Sequence, residues 1–345
     1  MEGEPTKQNL SSDSLQRLIR WLGFQPERPL LVLAPMQDVT EPAFCSLLFE
    51  YSRPDVVVTP YFRVYPGARM RKKARPWITA PWFGKVPVVA QLMGNDPEAL
   101  CWAAWELLDL GFAGIDLNLG CPAPIVRRKG AGSALLEAPQ QIEEILQALR
   151  RQVNRAFSVK TRLGVERPDQ FLSVLEVLRR SELDWVTIHP RTVLGPASQE
   201  VDFSWVQKAC SLLSCAVVAN GELRSARVAV EVLHSTGAHG VMIGRWAVRN
   251  PWIFDQIRKR WQGEPVEPTE GAALLAYWER LWELTHKEGI REAGRLAWFK
   301  HFLRFAAAGL DPEDRFLQQL LHAQTIDRIR QLSQSFLSDR VFSEI

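Results

Sequence analysis

Length, composition and charge exclude several classes of protein. The chain has 345 residues, of which 46% are hydrophobic and 23% charged, as in a globular protein with a large core and unlike a disordered chain. A net charge of +3 at pH 7 does not by itself indicate nucleic-acid binding, and five cysteines without CxxC spacing indicate neither a disulfide framework nor a metal site.

The first 26 residues predict a polar leader followed by one short amphipathic helix. Its apolar side chains recur at helical spacing: Leu15, Leu18, Ile19 and Leu22. The leader lacks the apolar core of a signal peptide, and no uncharged apolar run reaches the roughly 18 residues of a membrane span. We therefore expect a cytoplasmic protein that does not enter a membrane.

Eight short apolar runs follow, each bounded by turn residues. They are Leu31–Leu33, Val56–Val58, Val88–Leu92, Gly114–Leu117, Ser158–Lys160, Trp185–Ile188, Ala216–Ala219 and Gly240–Ile243. The amphipathic helices predicted between some of them are Pro97–Leu110, Pro139–Val153, Asp169–Arg180 and Ser225–Ser235. Buried strands that alternate with helices predict a parallel sheet, and their number favours a closed (β/α)8 TIM barrel over an open sheet.

The last part of the chain predicts a second domain of another kind. The segment Gly263–Pro268 contains two prolines and indicates a linker. Beyond it the apolar residues keep a helical period. We thus predict an α/β chain in three parts: residues 1–26 as leader and helix, 27–262 as a TIM barrel, and 263–345 as an all-helical domain.

Polar, cationic and glycine residues follow the predicted strands. In a TIM barrel the carboxyl ends of the strands carry the catalytic and ligand-binding groups. The residues found there include Pro35, Met36, Gln37, Gln91, Asn118, Cys121, Lys160, Arg162, His189, Asn220, Gly221, Glu222, Gly244 and Arg245. Each polar one alone is readily explained as a turn or cap residue, but so many at one end predict a ligand site.

Some of these positions suit an anionic ligand. Lys160 and Arg162 would lie at one mouth of the barrel, where they could hold a phosphate or an anionic ring. Gly221 and Gly244 would allow backbone N–H groups to approach a ligand closely. Both glycines fall in the last two βα loops, which commonly bind phosphate in this fold.

Basic residues are concentrated in two clusters. Six lie between Tyr61 and Arg75 with no acidic residue among them, and a second cluster covers positions 127–129. Both clusters would suit a nucleic-acid backbone, and both could instead be solvated loops. The candidates for RNA contact are Arg63, Arg71, Lys72, Lys73, Arg127 and Arg128.

Seven motifs resemble, in the same order, those of one enzyme family. They are Ala34-Pro-Met36, Gln91-Leu-Met-Gly94, Asp116-Leu-Asn-Leu-Gly-Cys-Pro122, Val159-Lys-Thr-Arg162, His189-Pro-Arg-Thr192, Ala219-Asn-Gly-Glu222 and Met242-Ile-Gly-Arg245. From Leu31 to Phe254 the sequence is similar to tRNA-dihydrouridine synthases of the bacterial type, with a family-like helical tail beyond. The resemblance implies a TIM barrel that binds FMN, followed by a helical domain, with tRNA gripped between the two.

The resemblance also implies roles for the matching residues. Those expected to surround the flavin ring are Pro35, Met36, Gln37, Gln91, Lys160 and His189. Those expected to bind its ribityl chain and phosphate are Asn220, Gly221, Glu222, Gly244 and Arg245. Gln91 would bind the pyrimidine edge of the ring, and Lys160 would stabilise the anionic reduced form.

Cys121 is implied to be the catalytic acid. Reduction of the 5,6-double bond of uracil needs a hydride at C6 and a proton at C5, and a flavin delivers only the hydride. Cys121 would deliver the proton as a neutral thiol, while Asn118 and Arg162 would contact the substrate. The other interpretation of Cys121 is a small packing residue, which is how we interpret the remaining cysteines. NADPH is the implied reductant, and a monomer is the default expectation.

Two other functions fit parts of this pattern. A flavoenzyme similar to dihydroorotate or dihydropyrimidine dehydrogenases would act on free pyrimidines, but a small substrate needs neither a helical tail nor basic clusters. A barrel that binds RNA without catalysis would need neither Cys121 nor the flavin-binding residues. One departure from the family pattern lies after the second strand, where Thr59–Pro60 replaces a Thr-Glu pair and removes an expected carboxylate.

Overall fold

The computed structural model describes residues 10–196, 199–286, 289–311 and 313–343. Positions 1–9 of the predicted leader lie outside these ranges. Nine strands form the main sheet of the described chain. In chain order they are β1 (Leu30–Leu33), β2 (Val56–Val58), β3 (Phe62–Arg63), β4 (Val88–Met93), β5 (Gly114–Leu119), β6 (Ala156–Arg162), β7 (Trp185–His189), β8 (Ala216–Asn220) and β9 (Gly240–Ile243).

The main sheet is a closed barrel of parallel strands. The strand order is β2-β1-β9-β8-β7-β6-β5-β4-β3, and an additional pairing between β2 and β4 closes the ring. The two-residue strand β3 pairs only with the end of β4, which leaves eight strands in the ring among the described residues. Each lies within two residues of a predicted strand, so the predicted TIM barrel is confirmed.

Helix α1 (Ser12–Leu22) packs against the amino ends of the barrel strands. Leu18, Leu22 and Phe24 join one apolar cluster with the first residues of several strands, including Trp185. The helix begins at the Ser11 side chain, which accepts a hydrogen bond from the backbone of Ser14, and it ends at a left-handed glycine. The predicted helix is thus confirmed, although its Ile19 side chain is 47% exposed.

Further helices connect the barrel strands. They are α2 (Pro42–Tyr51), α3 (Met70–Ile78), α4 (Pro97–Asp109), α5 (Pro124–Arg127), α6 (Pro139–Gln152), α7 (Phe171–Arg180), α8 (Ser204–Leu212) and α9 (Ala226–Thr236), with 3-10 turns at Gly132–Glu137 and Pro168–Gln170. The four predicted helices are therefore present. The first basic cluster is not one solvated loop, because Arg63 lies on β3 and the cluster continues into α3, where Met70 and Ala74 are buried.

The chain divides into two compact units. The first contains the residues up to Thr40, Pro54–Glu222 and Glu231–Ile243, and it includes every barrel strand. The second contains Glu41–Arg53, Leu223–Val230 and the residues from Gly244 onward.

The second unit has an aromatic core between helices. Beyond the barrel its helices are α10 (Arg245–Arg249), α11 (Ile253–Trp261), α12 (Gly271–Leu284), α13 (Glu292–Ala306), α14 (Arg315–His322) and α15 (Ile326–Leu337). Phe316 stacks on Phe336 with ring centroids 3.9 Å apart, and the buried Tyr277 hydroxyl donates to the Val248 carbonyl. This part is not wholly helical, because β10 (Thr269–Glu270) pairs with β11 (Val341–Phe342) in an antiparallel ribbon.

The lengths of the helices bear on membrane insertion. A helix needs about 20 apolar residues to cross a bilayer. Within the described ranges the longest helix, α13, has 15 residues, and no described helix is both long enough and apolar enough for a crossing.

Candidate active site

Side chains from adjacent strands form a chain of hydrogen bonds near the carboxyl end of the barrel. The strand register places Gln91 of β4 beside Asp116 of β5, and Asp116 beside Ser158 of β6. Gln91 Nε2 donates to Asp116 Oδ2 over 2.8 Å, and the Ser158 hydroxyl donates to Asp116 Oδ1 over 2.5 Å. All three side chains are fully buried, so their polar atoms need partners within the site.

Asn118 extends this chain to the loop that carries Cys121. Its Nδ2 donates to Gln91 Oε1 over 2.8 Å, and its Oδ1 accepts the backbone N–H groups of Gly120 and Cys121 at 3.0 and 2.9 Å. As a carboxylate, Asp116 can only accept, so Gln91 must turn its NH2 group toward Asp116 and its oxygen toward Asn118. The carboxylate thereby fixes both amides and, through them, the start of the Cys121 loop.

Burial changes the acid–base properties of two groups in this site. It raises the pKa of Asp116 from 3.8 to about 6, although hydrogen bonds from Ser158 and Gln91 favour the ionised form. It lowers the pKa of Lys160 from 10.5 to about 8, and repulsion by Arg162 acts in the same direction. At pH 7 both groups are still mostly charged, so neighbouring strands carry a carboxylate and an ammonium group.

A cavity of about 350 Å³ opens beside this hydrogen-bonded chain, and we call it the first cavity. Its lining residues are Pro35, Gln37, Pro60, Tyr61, Gln91, Asn118, Gly120, Cys121, Pro122, Ala123, Lys160, Arg162 and His189. The predicted site residues among them are Pro35, Gln37, Gln91, Asn118, Cys121, Lys160, Arg162 and His189. The fold therefore brings predicted residues from five different strand ends into one volume, together with Pro60 and Tyr61 from a sixth.

Cys121 lies partly exposed in the wall of the first cavity. It packs against a small apolar cluster formed by Met93, Val126 and Ala131. Behind it, Gly132 has a φ of +61°, and a Cβ there would lie 3.2 Å from Cys121 Cβ. A larger residue at 132 would therefore be strained and would press on the cysteine.

The other four cysteines lie in different surroundings. All five belong to the described residues and none forms a disulfide. Cys45, Cys210 and Cys215 are buried, and burial raises the pKa of Cys210 and of Cys215 to about 12. Their interpretation as packing residues is confirmed, whereas Cys101 is only partly buried.

His189 and Gly221 are in close contact at the ends of β7 and β8. Gly221 has a φ of +111°, and a Cβ at this position would lie 2.6 Å from the His189 ring. Beside them, Glu222 forms an ion pair with Arg191 over 3.3 Å. Asn220 is buried, and its Nδ2 donates to the Met242 carbonyl over 2.7 Å.

Not every predicted cofactor residue lines the first cavity. Met36, Asn220, Gly221 and Glu222 lie in the same compact unit but outside the lining of that cavity. Gly244 and Arg245 belong to the second compact unit, where Gly244 precedes helix α10 and Arg245 is exposed.

The basic residues of the two clusters have different surroundings. Arg63 and Lys73 line another cavity, of about 540 Å³, which we call the second cavity. Arg71 forms an ion pair with Asp109 over 2.5 Å, and Arg127 approaches Glu137 to 3.9 Å. Lys72 and Arg128 are exposed at the surface.

Three polar residues of the site were not among the predicted site residues. Asp116 and Ser158 organise the hydrogen-bonded chain, and Tyr61 lines the first cavity, where burial raises the pKa of its hydroxyl. Alternation along β5 could have revealed Asp116, because residues two apart on a strand share a face and Asn118 was already a candidate. For Ser158 the signal is weaker, since it depends on the register between β5 and β6.

Comparison with known proteins adds an independent result. The model of the family described as dihydrouridine synthase matches residues 32–339, which is most of the chain. The chain belongs to the dihydrouridine synthase family. This result confirms the resemblance that the seven motifs indicated, and the match extends through the helical tail.

Curated relatives of this dihydrouridine synthase family member cover nearly its whole length. A protein of Staphylococcus epidermidis named "Probable tRNA-dihydrouridine synthase" is 29% identical over 320 residues, which cover 90% of this chain and 94% of the relative. The "tRNA-dihydrouridine(16) synthase" of Neisseria meningitidis is 26% identical over 317 residues, with 90% and 95% coverage. The family assignment therefore applies to the chain as a whole.

A solved structure supports the barrel fold independently. The old yellow enzyme homologue of Zymomonas mobilis aligns with a TM-score of 0.51 and 12% identity, covering 69% of this chain and 89% of that protein. At 12% identity this likeness supports the barrel fold of the chain alone.

Proposed function

We propose that this protein reduces uridines in tRNA to 5,6-dihydrouridine, with bound FMN, NADPH as the reductant and Cys121 as the acid. The observation that carries the proposal is the first cavity, which joins an amide, a cation and a partly exposed thiol in one volume. Membership of the dihydrouridine synthase family supports the reaction, and the names of its relatives support tRNA as the substrate.

The residues around the first cavity fit a flavin. Gln91 uses one N–H group and one acceptor site within the hydrogen-bonded chain, so its amide keeps one of each for the alternating groups of a pyrimidine edge. Lys160 supplies a cation for an electron-rich ring. Gly221 lets the His189 ring lie against the backbone, because a Cβ at position 221 would clash with that ring. Pro35, Met36 and Gln37 complete the proposed ring contacts.

The remaining cofactor contacts rest on the sequence motifs. We assign the ribityl chain and phosphate to Asn220, Gly221, Glu222, Gly244 and Arg245. Backbone N–H groups at glycines and one arginine are suitable donors for a phosphate.

Cys121 is placed in this proposal as the group that protonates C5 of the uracil. When bound and reduced, the flavin supplies the hydride for C6. The thiol of Cys121 holds the proton, and Asn118 holds the loop of Cys121 through its Oδ1. The second N–H of the Asn118 amide stays available for the base. Arg162, whose Nη1 donates to the Thr192 carbonyl, lines the same cavity.

Reduction within tRNA requires the base to leave its stack. Unstacking costs a few kcal/mol, which contacts to the RNA backbone must offset. We assign these contacts to cations of the two basic clusters, namely Arg63, Arg71, Lys72, Lys73, Arg127 and Arg128. Arg71 and Arg127 would have to exchange their carboxylate partners for phosphate.

The absence of disulfides among the described cysteines supports a reducing compartment, and we propose a cytoplasmic monomer.

The experiment is purification followed by an absorbance spectrum and an assay on tRNA that lacks dihydrouridine. We expect a yellow protein that forms dihydrouridine with NADPH, detected by mass spectrometry of nucleosides. Activity on free uracil or orotate instead of tRNA would favour the dehydrogenase-like alternative. A colourless protein that binds tRNA and reduces nothing would favour the RNA-binding alternative and contradict the proposal.

A further inference from the structure

The second cavity is lined by Arg63 and Lys73, two of the cations assigned above to the RNA backbone, but no particular ligand group has yet been assigned to it. Three cations line its volume of about 540 Å³, namely Arg63, Lys73 and Lys129. Tyr65 and Asn95 add polar groups, and the described lining contains no acidic side chain. A concave surface of this size and charge suits an anionic ligand.

The two cavities share one wall. Met93, Val126 and Ala131 line the second cavity, and these three residues form one apolar cluster. Cys121 and Tyr61, which line the first cavity, pack against the same cluster. The second cavity is therefore separated from the candidate catalytic thiol by a single layer of side chains.

The cations of the second cavity are not neutralised by the part of the chain that is described. Arg63 Nη2 is buried and has no hydrogen-bond partner among the described residues. Lys73 Nζ donates to the backbone carbonyl of Arg63 over 3.1 Å, which contributes no opposite charge. Desolvation, followed by repulsion from Arg63, lowers the pKa of Lys73. An anion between Arg63 and Lys73 would satisfy the guanidinium and remove this repulsion.

We propose that the second cavity is a phosphate subsite, occupied by a phosphodiester group of the RNA strand that carries the target uridine. The proposal rests on the proposed function, because it requires an RNA base in the first cavity. A uridine held there is covalently joined to neighbouring phosphates, so an anion always accompanies it. The 2′-phosphate of NADPH has the same chemistry, and the experiment must separate the two sources.

The experiment removes the charge at two positions and measures binding of an unmodified tRNA transcript. Lys73→Met and Lys129→Met are suitable, because both side chains are exposed and their loss leaves the barrel core intact. We expect each to raise the Kd for tRNA roughly five- to tenfold and to reduce the slope of log K against log salt by about 0.7 to 0.9. Lys85→Met is the matched control, since exposed Lys85 lies before β4 and lines neither cavity. We expect it to change the Kd less than twofold.

The possible results separate the subsite from the proposed function. Wild-type protein that forms dihydrouridine, with both variants binding tRNA as the control does, would overturn the subsite and leave the function intact. A raised KM for NADPH but not for NADH, at unchanged tRNA affinity, would overturn the assignment to RNA in favour of the dinucleotide. Wild-type protein that neither binds tRNA nor forms dihydrouridine would overturn both proposals. Each variant is verified to be folded when its absorbance spectrum and its melting temperature match those of the wild-type protein.

Discussion

The two ends of the barrel differ in the chemistry of their buried side chains, which are apolar at one end and polar at the other. At the amino end, Leu18, Leu22 and Phe24 enter an apolar cluster with the strands. Toward the carboxyl end, Gln91 and Asp116 are just as buried but form a continuous chain of hydrogen bonds. Apolar contacts stabilise in proportion to buried area, whereas buried polar groups mainly fix orientation. We therefore expect substitutions at the amino end to change mainly stability and substitutions at the carboxyl end to change mainly activity.

The largest effect expected is on activity, at the carboxyl end. Cys121→Ala removes the proposed acid and should lower the rate of dihydrouridine formation roughly 10²- to 10⁴-fold. The steady-state rate with saturating tRNA and NADPH measures this. Cys215→Ala is the matched control, because Cys215 is a buried packing residue, and its rate should stay within about twofold of wild type. Equal losses in both variants would contradict a special role for Cys121.

The next effect is on stability, at the amino end. Leu18 is fully buried in the apolar cluster, so Leu18→Ala should reduce the free energy of unfolding by about 2 to 5 kcal/mol. Urea denaturation measures the change, and the rate per folded molecule should be unaltered. Ile19→Ala on the same helix is the control, since Ile19 is 47% exposed and should cost less than about 0.5 kcal/mol. Similar losses at both positions would contradict the packing of α1 against the barrel strands through Leu18.

A smaller effect on activity should follow from disturbing the hydrogen-bonded chain. Asp116→Asn can still accept from Gln91 through its oxygen and donate to Ser158, so we expect a rate within about threefold of wild type. Asp116→Leu leaves both partners unpaired and frees the amides to rotate, which should lower the rate roughly tenfold. Identical rates for the two variants, both folded, would mean that Asp116 does not position Gln91 and Asn118.

The smallest expected effect is a pH dependence of stability. The folded protein holds the Asp116 proton up to a pKa of about 6, whereas the unfolded chain releases it near 3.8. Stability should therefore fall as the pH rises through 6, by about 1 kcal/mol between pH 5 and pH 8. The measurement is the free energy of unfolding of wild type and of Asp116→Asn, each from urea denaturation at pH 5 and pH 8. Subtracting the two proteins at each pH removes the contribution of histidine titration, which both share. A difference that is constant or increases with pH would contradict the raised pKa.

Much of the barrel could be predicted from the sequence because its signals are local. A buried parallel strand appears as a short apolar run, and a surface helix appears as a period of 3.6 residues. The same argument explains the errors. Ile19 has the spacing of a buried residue, yet only the packing of α1 determines which residues of its apolar stripe are covered. The ribbon between Thr269 and Phe342 joins residues over 70 positions apart, and no local pattern indicates such a pairing.

The candidate site was predictable where it depends on strand ends and not where it depends on register. Cys121, Lys160 and His189 lie at the end of an apolar run or within four residues after one, and a closed barrel brings all strand ends together. Ser158 enters the site only because it lies beside Asp116 in the sheet. Lys129 reaches the second cavity from the loop after α5, which the sequence presented only as part of a basic cluster.

The most direct test of the central claim separates the two half-reactions of the Cys121→Ala variant. Rapid mixing would record, from the flavin absorbance, first reduction by NADPH and then reoxidation by tRNA. If Cys121 supplies the proton to the uracil, reduction should proceed at the wild-type rate while reoxidation by tRNA slows at least 100-fold, at unchanged tRNA affinity. Reoxidation at the wild-type rate would contradict the assignment of Cys121 as the acid.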